Sequence, residues 1–209
     1  MIEKFVVNVG RQLGSGGREI SAELAKRLNI SYYDKELLNV ASEESGLCKE
    51  FFEKADEQAS QPLTGGLFGL RFPFSGNSMV NTLNYLSNDA LFQIQSDAIR
   101  KLAEEKSCLF IGRCADYILR ENPRCVNIFI SASLPFRVNR ISSIENISAE
   151  KAEEKINRVE KRRAEFYNYY SNKRWGAAES YHLCIDSSVL GIAKTTDFIE
   201  QFIRAKLGL

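Results

Sequence analysis

Phe5-Val6-Val7-Asn8-Val9-Gly10-Arg11-Gln12-Leu13-Gly14-Ser15-Gly16-Gly17-Arg18-Glu19-Ile20 is the stretch that decides the fold. Phe5–Val9 is an apolar run that reads as a buried strand. Ser21–Leu28 reads as a helix, with Ile20, Leu24 and Leu28 on one face. A strand, a glycine-rich turn and a helix in that order form a phosphate cradle. Glycine lets the backbone approach an anion, and the N–H groups at the helix start donate to its oxygens. The stretch departs from the phosphate-loop pattern G-x-x-x-x-G-K-[ST]. With Gly16 at the second glycine, Arg11 stands at the first glycine, Gly17 at the lysine and Arg18 at the Ser/Thr. The positive charge has moved one residue along. Plain turn chemistry also uses glycine at such junctions. Gly14, Gly16 and Gly17 with an adjacent arginine are more than a turn requires.

Five short apolar runs read as strands: Phe5–Val9, Ile30–Tyr33, Cys108–Gly112, Val126–Ser131 and His182–Asp186. Amphipathic helical stretches lie between them, which indicates an α/β fold with a parallel sheet. Runs such as Val126-Asn127-Ile128-Phe129-Ile130 suit strands covered on both faces. Ligands of such sheets bind beyond the carboxyl ends of the strands. Three candidate sites occupy those ends: Gly10–Glu19, Asp34-Lys35 and Gly112–Asp116.

Composition limits the function classes. The chain has 209 residues, 44% apolar and 26% charged, enough for a buried core. A net charge of +1 provides no field to draw it to a nucleic acid polymer or a membrane, and neither is expected as a partner. The five cysteines lack C-x-x-C or zinc spacing. Their odd number, without a recognisable signal peptide, leads us to expect a reducing cytoplasmic setting. His182 is the single histidine, which excludes a histidine-rich metal site and argues against a Ser–His hydrolase.

Residues 60–78, with Phe68, Arg71, Phe72 and Phe74, form an irregular segment that suits a loop over an acceptor, a partner contact or a linker. A long helix is expected from Asn81 to Lys106. Ser148 caps another, which runs through Arg158, Arg162 and Arg163 to Tyr169-Tyr170. With Arg137 and Arg140 upstream it makes an arginine-rich hairpin, either a solvated surface helix or a lid over phosphates. The chain reads as one domain. Its core takes in roughly residues 1–59, 100–133 and 181–209, with an irregular acceptor-side insert at 60–99 and a lid at 134–178.

These motifs together resemble the cytidylate kinase-like family, a divergent branch of the nucleoside monophosphate kinases. The resemblance rests on Gly10–Ile20, Tyr32-Tyr33-Asp34-Lys35-Glu36-Leu37, Ile111–Leu119, Arg158–Arg163, Tyr169-Tyr170 through Trp175-Gly176, and Tyr181–Ser188. It implies a three-layer P-loop kinase fold, with a five-stranded parallel sheet and a helical lid. It also implies ATP and Mg2+ as cofactors and a small phosphorylated acceptor such as CMP. Arg113 matches the arginine expected at the acceptor phosphate, and Asp116 lies near the carboxylate expected at the cytosine amine. Arg137 and Arg140 match an R-x-x-R expected at the nucleotide. Glu160 and Arg163 occupy a D-x-x-R expected at ribose and phosphate. Authentic cytidylate kinases carry an intact loop lysine; here Gly17 stands in its place, Glu19 where a magnesium-holding threonine would be, and Glu160 replaces their aspartate.

In the mechanism so implied, the backbone of Gly14, Ser15, Gly16, Gly17, Arg18 and Glu19 holds the donor phosphates. Arg18, Arg113 and Arg163 supply the catalytic positive charge. Asp34 and Lys35 join Asp116 on the acceptor side, Asp34 being equally suited to capping the helix that follows. No residue is singled out for Mg2+, and the oligomeric state is open. Two alternatives are a nucleotide- or phosphate-binding protein without turnover, and a kinase of another small metabolite.

Overall fold

The computed structural model describes residues 3–44, 46 and 88–209. The irregular segment 60–78 and Cys48 lie outside those residues, as does the start of the helix expected from Asn81. By internal contacts the chain divides into two compact units, Met1–Lys35 with Ile99–Leu209, and Glu36–Ala98.

Each of the five apolar runs forms a strand: β1 (Val6–Arg11), β2 (Ser31–Tyr33), β3 (Cys108–Ile111), β4 (Cys125–Ser131) and β5 (Leu183–Asp186). All pair in parallel, in the order β2-β3-β1-β4-β5. β1 is thereby central, with Val9 opposite Ile111 on one side and Ile128 on the other. Among the described residues the helices are α1 (Gly17–Arg27), α2 (Lys35–Glu44), α3 (Asn88–Glu105), α4 (Ala115–Ile118), α5 (Leu134–Glu145), α6 (Ala149–Ser171) and α7 (Ser187–Leu207). None is long and apolar enough to cross a membrane.

β1, β3 and β4 are mainly apolar because both sheet faces are buried there, while the edge strands β2 and β5 are partly exposed. On one face Val7, Val9, Leu109, Ile111, Val126, Ile128 and Ile130 meet Ile20 and Leu24 of α1 and Ile199 and Ile203 of α7. On the other, Val6 and Phe110 are buried, and Cys108 donates its thiol to the Leu102 carbonyl at the end of α3. Burial pushes that thiol up to about 12, the mark of an inert packing cysteine. In the unit Glu36–Ala98, Gln95 Nε2 donates to Asn39 Oδ1 at 2.6 Å.

α5 and α6 form a hairpin stapled by Ile141, Ala152 and Ile156. The Ser148 cap accepts the Lys151 N–H as its position predicts. Asp186, at the end of β5, caps α7 by accepting the Ser188 N–H at 2.8 Å. The next residue ties strand ends together: Ser187 Oγ lies 2.7 Å from the Ser15 carbonyl and 3.0 Å from that of Ser131. Ser15 and Ser187 are both fully buried, so no water can replace this bond. Ser187→Ala is expected to destabilise the protein by about 1–3 kcal/mol, the range for an orphaned buried polar group. Urea unfolding monitored by circular dichroism measures it, and an unchanged midpoint would contradict this account.

Candidate functional site

β1 ends at Arg11 and α1 begins at Gly17, so residues 12–16 cross the carboxyl edge of the sheet at its centre. Gly16 caps α1 with φ 74°, in the left-handed region that favours glycine. Ser15 folds inward, its hydroxyl donating to the Gln12 carbonyl at 2.9 Å and accepting the Gly17 N–H at 3.3 Å. The N–H groups of Gly14, Gly16, Arg18 and Glu19 find no partner among the described residues. They form a set of donors at a helix start, where partial positive charge accumulates.

The hairpin clasps the loop from its other side. Leu13 packs against the Ile141–Ile156 cluster, and its N–H donates to Glu160 Oε1 at 3.2 Å. The same oxygen accepts from Arg137 NH1 at 2.7 Å, while Arg137 Nε donates to the Ala132 carbonyl at 2.8 Å. Arg137 is buried, so this is a largely desolvated ion pair rather than a surface one. Arg140 pairs with Glu19. Arg158 and Arg162 are exposed, whereas Arg163 turns in and donates to the Arg11 carbonyl at 2.9 Å.

Arg18 extends from α1 to Asp34 at the end of β2, with N···O 2.6 Å. Its side chain is 73% exposed against 8% for Asp34, so the arginine can move while the carboxylate stays fixed. Lys35 is exposed at the first position of α2. Arg11 differs from the others. Its guanidinium has no hydrogen bond or ion pair among the described residues, and burial, reinforced by Arg163, pulls it down to about 9. Arg163 and Arg18 both lie near enough to lower Arg11, whereas hydrogen bonds to Tyr32 and Asp34 hold Arg18 above the usual range.

Beyond β3, Gly112, Arg113 and Cys114 all have positive φ, of 69°, 58° and 57°. Two non-glycine residues in succession there amount to stored backbone strain of a kind concentrated at functional sites. Arg113 lies over the Phe166 ring at 4.2 Å, and burial holds its guanidinium below the usual range. Asp116 accepts from the Tyr167 hydroxyl at 2.6 Å. Tyr167 stacks near Tyr181, and Tyr181 in turn meets Phe129 and through it Trp175, an aromatic wall beside the carboxylate.

A strand order of β2-β3-β1-β4-β5 with a glycine loop after the central strand is the arrangement of P-loop kinases. A family model described as the cytidylate kinase-like family matches residues 6–189. The chain belongs to that family. Among solved structures, an uncharacterised protein from Eubacterium ventriosum is 25% identical with a TM-score of 0.70, over 96% of this chain and 98% of that one. Shikimate kinase from Bacteroides thetaiotaomicron is 11% identical, TM-score 0.52, over 98% and 99% of the two chains. Shikimate kinase from Acinetobacter baumannii, in complex with shikimate, is 13% identical, TM-score 0.51, over 98% and 95%. The two shikimate kinases share the fold. No curated protein matches the sequence.

For this family member the structure gathers Gly14–Glu19, Arg163 and Asp34 around the β1 edge, with Arg113 and Asp116 beyond β3. It sets Arg137 and Glu160 against each other, and Arg140 against Glu19. Sequence reasoning missed Arg11 as a site residue. The one signal available was its place at the first glycine of the loop pattern, where any side chain is unexpected. Among the described residues no three His, Cys, Asp or Glu side chains cluster as metal ligands.

Asp116 yields a pH prediction. Burial raises it above its ordinary value of 3.8, outweighing the Tyr167 bond. The native state then holds this proton more tightly than the unfolded chain does. Stability falls as pH rises from the ordinary value through the raised one. Asp116→Asn keeps an acceptor for Tyr167 and removes that fall. Its thermal midpoint should exceed that of the wild type at about pH 7 and equal it near pH 3, below both values. Matching midpoints at neutral pH would refute the assignment.

Proposed function

We propose that this chain transfers the terminal phosphoryl group of ATP to a small phosphorylated acceptor, with a nucleoside monophosphate such as CMP the first to test. One observation carries the reading: unbonded N–H groups of Gly14, Gly16, Arg18 and Glu19 lie on the same sheet edge as Arg11, Arg18 and Arg163. The Arg11 guanidinium, buried with no hydrogen bond or ion pair among the described residues, is unfavourable alone and becomes favourable once an anion arrives.

Phosphoryl transfer requires positioning and charge stabilisation more than covalent help. In this reading the loop N–H groups hold the donor phosphates, and Arg18 swings from Asp34 toward the transferring group. Arg163 and Arg113 neutralise charge between donor and acceptor. Asp116, held by Tyr167 beside the aromatic wall, addresses the polar edge of a flat acceptor. Arg137 and Glu160 keep the loop in shape, and Arg140 with Glu19 ties the hairpin to α1. The described residues do not fit a resident Mg2+: Glu19 is paired with Arg140 and Asp34 with Arg18. A cation accompanying ATP is held by phosphate oxygens and water, as part of the substrate. Likeness to a shikimate kinase solved with shikimate favours a second reading, a hydroxylated metabolite as acceptor.

A coupled ADP-release assay with ATP and Mg2+, run over nucleoside monophosphates and small hydroxylated acids, tests the proposal. Turnover is expected with a nucleoside monophosphate, and turnover only with a hydroxylated acid selects the second reading. Binding of ATP without turnover on any acceptor would leave a nucleotide-binding protein. Arg113→Ala is expected to lower kcat/KM by at least about a hundredfold, the loss of a charge-assisted bidentate pair. Unchanged kinetics would remove Arg113 from the site.

A further inference from the structure

Two glycines face the Arg11 side chain from different elements. A Cβ at Gly17, on α1, would lie 2.7 Å from Arg11 Cβ and 3.1 Å from Cγ. A Cβ at Gly112, just past β3, would lie 2.6 Å from Arg11 NH1. Cβ atoms do not approach other atoms so closely, so any side chain at either place would displace the arginine. Gly17 is also the position of the phosphate-loop lysine. A lysine at 17 and an arginine at 11 therefore exclude each other: the stem of one needs the space of the other. The Arg163 bond to the Arg11 carbonyl fixes the residue from the hairpin side.

We propose that Arg11 replaces the absent loop lysine as the cation on the donor's β- and γ-phosphates, with Gly17 and Gly112 forming the channel that its side chain needs. The inference rests on the phosphotransferase reading above and deepens it. An arginine fork offers two parallel donors where a lysine offers a point charge. Its stem starts at the strand end, directly beside the lysine position, and its guanidinium lies against Gly112 past β3. Glycine at 112 is needed twice over, for space and for a φ of 69°. Lowering of the Arg11 pKa by its surroundings leaves it protonated at neutral pH, as a phosphate ligand must be.

The test is ATP binding by isothermal titration calorimetry, with circular dichroism and urea midpoints to certify folding. The variants are Arg11→Gln, Arg11→Lys, Gly17→Lys and the double variant Arg11→Gly with Gly17→Lys. Wild type should bind ATP, and Arg11→Gln should weaken binding by about 10- to 100-fold, the range for a charged hydrogen bond. Arg11→Lys keeps a cation and should weaken it less. Gly17→Lys alone should weaken binding through collision with Arg11. The double variant, which restores the usual glycine and lysine, should recover affinity to within about threefold of wild type. That non-additive rescue is what a merely structural arginine would not give. If wild type binds ATP and folded Arg11→Gln binds as tightly, the inference falls while the phosphotransferase reading stands. If Arg11→Gln fails to fold, the double variant decides: no recovery of binding in a folded protein overturns the inference. Failure of the wild type to bind ATP overturns both.

Discussion

A buried guanidinium at the sheet edge, that of Arg11, with no hydrogen bond or ion pair among the described residues is the constraint on which the rest of this structure depends. Burial, with Arg163 and Arg18 nearby, depresses Arg11, while Asp34 pairs with Arg18 and Glu160 favours the charge on Arg163. Unpaired buried cations destabilise a fold. Around the loop the scaffold supplies hydrogen-bond partners from two sides. Ser187 pins the Ser15 carbonyl, Glu160 takes the Leu13 N–H, and Arg137 shares that glutamate. A loop held in shape from both sides keeps the N–H groups of Gly14, Gly16, Arg18 and Glu19 without partners among the described residues. Preorganisation of this kind is what makes oriented dipoles effective in transferring charge.

The departures from the usual phosphate loop then become mutually consistent. With glycine at 17, the space where a lysine would rise is open to the Arg11 stem. With glutamate at 19 rather than a metal-holding threonine, α1 acquires a carboxylate that pairs with Arg140 of the hairpin. Glu160 is engaged by Arg137 and the loop backbone at once. None of these substitutions reads as decay. Each introduced side chain has a partner or a cradle.

The strands were legible because a parallel sheet covered on both faces writes itself as continuous apolar runs, as in Val126–Ile130. The beginning of α1 was less so: reading it from Ser21 missed the first turn, which opens on Gly17. Of the site, what depends on chain order was readable, since Gly112–Asp116 and Asp34 follow strands directly. What depends on side-chain direction was not. Arg11 needed knowledge that Gly112, remote in sequence, lies beside it in the adjacent strand end. Arg137 and Glu160 carry the charges of phosphate and ribose ligands in the sequence. Only the packing of α5 on α6 showed that they meet each other.

The central claim is that this loop is a phosphate site whose cation comes from the strand rather than from the helix. A crystal structure of the protein with ADP and Mg2+ tests it most directly. The account predicts the β-phosphate against the N–H groups of Gly14, Gly16 and Arg18, with the Arg11 guanidinium within about 3 Å of its oxygens. A nucleotide bound elsewhere, or one seated on the loop with Arg11 turned away from its phosphates, would contradict it.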